Sequence, residues 1–198
     1  MKFNKVISYI FHPVLAPVIG TILYFILFPK HISKTLELTI ITAVFIGTYL
    51  FPLLFLVILK KTKNIANYQL ENIEERKFPL LFFILTSYIL ATLIKMNGIT
   101  IDLSLFFYGT TVALLMAYLL LYFKFKVSLH LIGIGGLIGF FTVFSYEYRM
   151  NTLLVLSLFF VIAGFVASAR ISLKAHHVKE VFFGFLIGLA SQTAVYLL

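Results

Sequence analysis

The chain has 198 residues, of which 62% are hydrophobic and only 12% are charged, and its mean hydropathy is +1.07. This apolar content excludes a soluble globular domain and predicts an all-α, polytopic membrane bundle, while the lack of cysteine excludes disulfides, thiol nucleophiles and thiolate metal sites. The net charge is +9, but the basic residues stand in short connectors between apolar runs, which favours membrane lipids or phosphate substrates over nucleic acid.

Seven apolar segments approach the length of about 20 residues that a helix needs to cross about 30 Å of hydrocarbon. The third and fifth are short, so each is either a full span or a bent, half-inserted element, and we predict six or seven spans. No connector is long enough for a soluble domain, which predicts a single transmembrane domain over residues 1–198. The segments are residues 6–28, 37–59, 79–95, 102–123, 130–146, 151–169 and 180–198.

The first segment follows Lys2 and Lys5, which is the charge order of a signal peptide. The run continues through His12, Pro13 and Pro17 without a small-residue cleavage site, so we predict a retained membrane helix.

Two GxxxG patterns predict places where helix backbones approach closely in lipid. The first is formed by Gly135 and Gly139, and the second by Gly184 and Gly188.

Ionisable residues near the ends of spans form three clusters, at residues 71–79, 124–130 and 168–180. If all seven segments cross the membrane, two crossings separate each cluster from the next. All three clusters then emerge on the same side, which predicts that they form one site. By the same parity, Glu147 and Arg149 belong to a solvated turn on the opposite side.

The first and third clusters each contain an arginine, Arg76 and Arg170, whose forked donors suit phosphate oxygens. Ser128 in the second cluster adds a hydroxyl donor. For Arg76, Lys77, Lys124 and Lys126 taken singly, anchoring at lipid headgroups is the alternative interpretation.

Two histidines supply groups that both accept and donate protons near neutral pH, namely His130 and His176. Glu180 lies four residues after His176, so on a helix the carboxylate can hold one imidazole nitrogen protonated and leave the other free to attack. The remaining histidines, His12, His31 and His177, are interpreted as structural or solvated.

A zinc site is a further hypothesis. Three histidines and a carboxylate are suitable ligands, but residue type alone supports that set. The set comprises His130, His176, His177 and Glu180.

At these residues the sequence resembles the type 2 phosphatidic acid phosphatase superfamily, whose motifs are K-x6-R-P, P-S-G-H and S-R-x5-H-x3-D. Arg170, His176 and Glu180 reproduce the spacing of the third motif, with Glu in place of Asp and with Ala169 inserted after Ser168. Ser128-Leu129-His130 resembles a degenerate second motif, which lacks the proline and has Leu129 in place of the glycine. Arg76-Lys77-Phe78-Pro79 resembles a remnant of the first motif, with Gln69 where the lysine is expected.

The resemblance implies a membrane enzyme that hydrolyses a lipid mono- or diphosphate through a phosphohistidine, without a metal or cofactor. His176 is then the nucleophile and His130 the acid that protonates the leaving group. Glu180 orients His176, and Arg170, Ser128 and Arg76 bind the phosphoryl oxygens.

The departures from the motifs support a second hypothesis, a non-catalytic relative that binds or translocates anionic lipids. Loss of one oxyanion donor can cost about 10²–10³ in rate. A lysine at position 77, 124, 126 or 174 is a candidate replacement for the missing charge.

For localisation, we predict a multi-pass protein of a bacterial cytoplasmic membrane. Parity places 12 of the 16 basic residues on the motif side, which favours a cytoplasmic site by the positive-inside rule. Removing the phosphate-site residues leaves six against four, and bacterial members of the family usually face outward, so the preference for the cytoplasmic side is slight.

Overall fold

The computed structural model describes residues 2–27, 32–66, 68, 70 and 72–198. His31, Gln69 and the first residue of the cluster 71–79, all considered above, lie outside the described residues. In the described part, nine α-helices are joined by short connectors. They are α1 (Lys2–Ile10), α2 (Ala16–Leu27), α3 (Lys34–Phe45), α4 (Phe51–Lys61), α5 (Ile73–Met96), α6 (Ile101–Tyr122), α7 (Leu129–Tyr148), α8 (Leu153–Ser172) and α9 (Val178–Leu197).

These helices make up seven stretches that are long and apolar enough to cross a membrane, which confirms the predicted helical membrane bundle. The third and fifth stretches are continuous helices of 24 and 20 residues, and both are long and apolar enough to cross a membrane. The stretches are Lys2–Leu27, Lys34–Lys61, Ile73–Met96, Ile101–Tyr122, Leu129–Tyr148, Leu153–Ser172 and Val178–Leu197.

Helix α5 begins six residues before the predicted segment, because its first turn is charged and hydropathy alone does not detect it. Asn72 caps the helix by accepting a hydrogen bond from the Glu74 backbone N–H at 3.3 Å. Glu74 and Glu75 lie in the first turn, where their negative charges interact favourably with the positive end of the helix dipole. Arg76 therefore lies on a helix and not in a connector.

Prolines interrupt the first two spans. His12 has extended backbone angles (φ −60°, ψ 137°) immediately before Pro13, and a 3₁₀ turn over Pro13–Leu15 separates α1 from α2. The residue before a proline avoids helical geometry, which explains the break. In the second span, a π-helical turn at Ile46–Leu50 precedes Pro52, whose nitrogen has no hydrogen to donate.

Helices α7 and α9 are packed together through both GxxxG patterns. A Cβ added to Gly139 would lie 2.7 Å from the Leu189 carbonyl oxygen, and one added to Gly184 would lie 2.7 Å from that of Ser128. Only glycine allows this approach. Both helices begin at the same end of the bundle, and the Ser128 N–H donates to the Glu180 carbonyl there at 3.1 Å.

Helix α7 is the central helix, since 61% of its apolar stretch is buried. Its fully buried residues include Leu131, Ile138, Phe141 and Phe144. This central position fixes the start of α7, and therefore His130, within the bundle.

Candidate active site

A cavity of about 110 Å³ lies at the end of the bundle where α5, α7 and α9 begin and α8 ends. Three helix N-termini close to one cavity favour an anion there. The cavity brings together residues from all three charged clusters and three residues from the first span. Its basic and imidazole side chains are His12, Arg76, His130, Arg170 and His176.

His176 lies in the connector between α8 and α9, and its side chain is only 2% exposed. Its Nδ1 lies 3.0 Å from Glu180 Oε2 and 3.1 Å from the Lys126 carbonyl oxygen. A carbonyl only accepts hydrogen bonds, so Nδ1 carries the proton in this geometry. The lone pair of the neutral ring is then on Nε2.

Glu180 is held in place by the start of α9. Its Oε2 also accepts a hydrogen bond from the His177 backbone N–H at 3.0 Å, which is the carboxylate half of a capping box. The same carboxylate therefore caps the helix and contacts His176. This double role restricts the orientation of the imidazole.

The environment of His176 disfavours its charged form. Burial, followed by the nearby charge of Arg76, lowers the pKa of His176 from 6.5 to about 4, although the hydrogen bond to Glu180 acts in the opposite direction. The ring is therefore neutral at physiological pH. A neutral imidazole with a free Nε2 is the form that acts as a nucleophile.

His130 is in the first turn of α7 and is 9% exposed. Its Nε2 lies 3.2 Å from the Ser8 carbonyl oxygen of α1. Because that oxygen can only accept, Nε2 carries a proton. The nitrogen of His130 left for exchange with a ligand is Nδ1.

The two arginines approach the cavity from different helices. Arg170, in the last turn of α8, donates from Nη1 to Ser8 Oγ at 3.3 Å, while its buried Nε has no hydrogen-bond partner among the described residues. Arg76, in the first turn of α5, donates from Nε to the Leu70 carbonyl at 2.7 Å. Each guanidinium is thus fixed by one contact and keeps other N–H groups for a ligand.

Ser128 is not brought to the cavity wall. The residue is fully buried between Val127 and Leu129, which do line the cavity. Within the described protein its Oγ has no hydrogen-bond partner. A direct contact of Ser128 with a ligand in the cavity is therefore not part of this geometry.

The lysines considered as substitutes for the missing first-motif charge do not line the cavity. Lys77 pairs with Glu74 at 2.7 Å and lies over the Tyr122 ring. Lys124 and Lys174 are exposed. Among all lysine and arginine side chains in the described part of the chain, those that line the cavity are Arg76 and Arg170.

The zinc hypothesis gains no support from the geometry. His177 is exposed at the start of α9, and no three His, Asp or Glu side chains in the described ranges are arranged to hold a metal ion. Glu180 is instead shared between the His176 ring and the His177 backbone N–H.

Two residues that the sequence interpretation missed are Ser8 and His12. Ser8 contacts both His130 and Arg170, and the His12 ring stands edge-on to that of His130 with 5.7 Å between centroids. The one local signal was His12 immediately before Pro13, which removes that histidine from the helix.

Comparison of the chain with models of known protein families, with curated proteins and with solved structures gave no match.

Proposed function

We propose that the protein is a membrane-embedded phosphatase that hydrolyses a lipid mono- or diphosphate through a phosphohistidine intermediate. The observation that carries the proposal is the bond between His176 Nδ1 and Glu180, in a cavity that also holds His130, Arg76 and Arg170. This combination supplies a neutral nucleophile, an acid and two phosphate-binding cations.

In the first step, the Nε2 lone pair of His176 attacks phosphorus while the bond from phosphorus to the leaving oxygen breaks. Glu180 stabilises the positive charge that develops on the imidazole, as the carboxylate does in a catalytic triad. Arg76 and Arg170 offset the negative charge on the phosphoryl oxygens.

His130, in its protonated form, gives a proton from Nδ1 to the departing oxygen. In the second step it takes a proton from a water molecule that attacks the phosphohistidine, and the bond between phosphorus and Nε2 of His176 breaks. Phosphate leaves and both histidines return to their starting states.

The composition of the cavity supports a lipid substrate. Its remaining walls are largely apolar and include Leu56 of α4, Leu80 and Phe83 of α5, and Leu121 of α6. Such walls suit the first carbons of a lipid next to a charged headgroup.

The test is phosphate release from a panel of lipid monophosphates and diphosphates by the detergent-purified protein. We expect turnover that survives EDTA, is blocked by orthovanadate and disappears in His176→Ala. His177→Asn is the matched control, because it removes an exposed histidine and keeps a good N-cap residue. Absence of turnover on every substrate, or full turnover by His176→Ala, would contradict the proposal.

The second candidate is a non-catalytic protein that binds or translocates anionic lipids with the same cavity. The burial of Ser128 behind the wall favours it, because one oxyanion donor expected from the motifs does not reach the ligand space. Lipid-phosphate binding without turnover, unchanged by His176→Ala or His130→Ala, would select this candidate.

A further inference from the structure

The N-terminal span contributes to the cavity wall at the point where its helix is broken. Helix α1 ends at Ile10, and His12 takes extended backbone angles before the 3₁₀ turn. His12, Pro13 and Val14 all line the cavity. An uninterrupted helix would be incompatible with the extended backbone observed at His12.

Ser8 connects this span to two groups of the candidate active site. Its hydroxyl oxygen accepts from Arg170 Nη1, and its carbonyl oxygen accepts from His130 Nε2. Ser8 is separated along the chain by 162 residues from Arg170 and by 122 residues from His130. The α1 segment is therefore held against His130 and Arg170, which line the same cavity as His12.

His12 has one buried ring nitrogen without a hydrogen-bond partner among the described residues. Its ring lies edge-on to the His130 ring at an interplanar angle of 71°. Nδ1 is buried without a partner in the described protein, as is Nε of Arg170, which lines the same cavity. Buried donors are rarely left unpaired, and each such group calls for an explanation.

We propose that His12 is a phosphate-binding residue, whose Nδ1–H donates to a phosphoryl oxygen that Arg170 Nε–H also contacts. The identity of the ligand as a phosphoryl group rests on the function proposed above. His12 would then add a neutral hydrogen-bond donor to the two arginines that bind the phosphoryl group. This chain has Gln69 at the position where the first motif would supply a lysine.

The test measures the affinity of the purified full-length protein for orthovanadate by isothermal titration calorimetry. His12→Phe keeps an aromatic ring beside His130 and removes the donor. His12→Asn places an amide N–H two bonds from Cβ, as in Nδ1 of histidine, and His12→Gln places it one bond farther away. His177→Asn serves as the control at an exposed histidine.

We expect His12→Phe and His12→Gln to weaken orthovanadate binding by about 10- to 100-fold, as for loss of a hydrogen bond to a charged group. His12→Asn should stay within about threefold of the unmodified protein, and His177→Asn should not change it. Size-exclusion profiles and thermal unfolding identify variants that do not fold. If His12→Phe does not fold, the comparison of orthovanadate affinity between His12→Asn and His12→Gln tests the proposal.

Equal affinity of His12→Phe and the unmodified protein would overturn the proposal, as would equal weakening by Asn and Gln. Failure of the unmodified protein to bind orthovanadate would also overturn it. Lipid-phosphate turnover is assayed separately on the same preparation. If orthovanadate binding depends on His12 but no turnover is seen, the phosphatase proposal is rejected and this inference is retained. If turnover is seen but orthovanadate binding does not depend on His12, the phosphatase proposal is retained and this inference is rejected.

Discussion

Polar side chains gather at both ends of the helical bundle, but their hydrogen bonding differs. At the end away from the cavity, Tyr148 at the C-terminus of α7 donates to Asp102 at 2.6 Å, and Tyr196 near the end of α9 donates to Glu147. The space beside them is only about 20 Å³. Each hydroxyl has a carboxylate partner, so these residues connect the ends of α6, α7 and α9.

At the cavity end, Nδ1 of His12, Nε of Arg170 and Oγ of Ser128 have no partner within the described residues, and the cavity is about 110 Å³. Leaving a buried polar group unpaired typically costs about 1–3 kcal/mol. At the opposite end the polar pairs join helices, whereas at the cavity end the unpaired Nδ1 of His12 and Nε of Arg170 belong to residues that line the larger space. Ser128 does not line that space, so its buried hydroxyl is not part of this contrast.

After the complete loss of turnover expected for His176→Ala, the largest effect is expected from His130→Ala. If His130 is the proposed proton donor, its loss should lower the turnover of alkyl lipid phosphates by about 10²–10⁴-fold. Aryl phosphates should be affected much less, since their leaving groups depart with little protonation. Steady-state phosphate release with both substrate types measures this. Equal losses of turnover with alkyl and aryl phosphates would contradict the role of His130 as the acid that protonates the leaving group.

A smaller effect should follow from Gly184→Ala, which changes the packing below the site. The added Cβ would meet the Ser128 carbonyl at 2.7 Å and shift the start of α7 relative to α9. A misplacement of about 1 Å can cost about 10²-fold in rate, so we expect turnover to fall by about 10- to 100-fold. Gly164→Ala is the control, because its Cβ would meet nothing within 4 Å. Equal turnover by the two variants would contradict the link between helix packing and the site.

The pKa of His176 should move in opposite directions in two variants. Arg76→Met removes a nearby positive charge and should raise the pKa of His176 from about 4, whereas Glu180→Gln removes a hydrogen-bonding carboxylate and should lower it. Nuclear magnetic resonance titration of the histidine rings measures both shifts. Shifts in the same direction would exclude the charge arrangement described here.

The same lowered pKa predicts how stability depends on pH. Between pH 6.5 and about 4 the unfolded chain binds a proton at His176 that the folded protein does not. The free energy of unfolding should therefore rise with pH across this window, by the contribution of this residue. Comparing the unmodified protein with His176→Ala in chemical unfolding isolates it, and identical pH dependence of the two proteins would contradict the prediction.

The smallest effect is expected at the opposite end. Tyr148→Phe removes the hydrogen bond to Asp102 and should lower the free energy of unfolding by about 0.6–1.7 kcal/mol, the range for hydrogen bonds between membrane helices. Turnover and orthovanadate binding should stay unchanged. A loss of either would indicate that this end also takes part in function.

The sequence by itself determined the class of the fold and the local part of the site. Hydropathy detects spans because an apolar helix of about 20 residues satisfies its own backbone in lipid. Spacing also paired His176 with Glu180, since positions four apart on a helix are neighbours. The two side chains do meet, but His176 lies in the connector before α9 and not on the helix that the spacing argument assumed. The sequence also predicted close approach at the two GxxxG patterns, but not which backbones would meet.

Tertiary structure decided the remaining contacts. Packing of Gly184 against the Ser128 carbonyl sets the start of α7 beside that of α9, and so brings His130 and His176 to one cavity. The same packing buries Ser128 behind the wall. The contacts of Ser8 with His130 and Arg170 leave no periodic signal, because they join residues more than 100 positions apart. Helix packing alone brings such residues together, and it places His12 in the cavity.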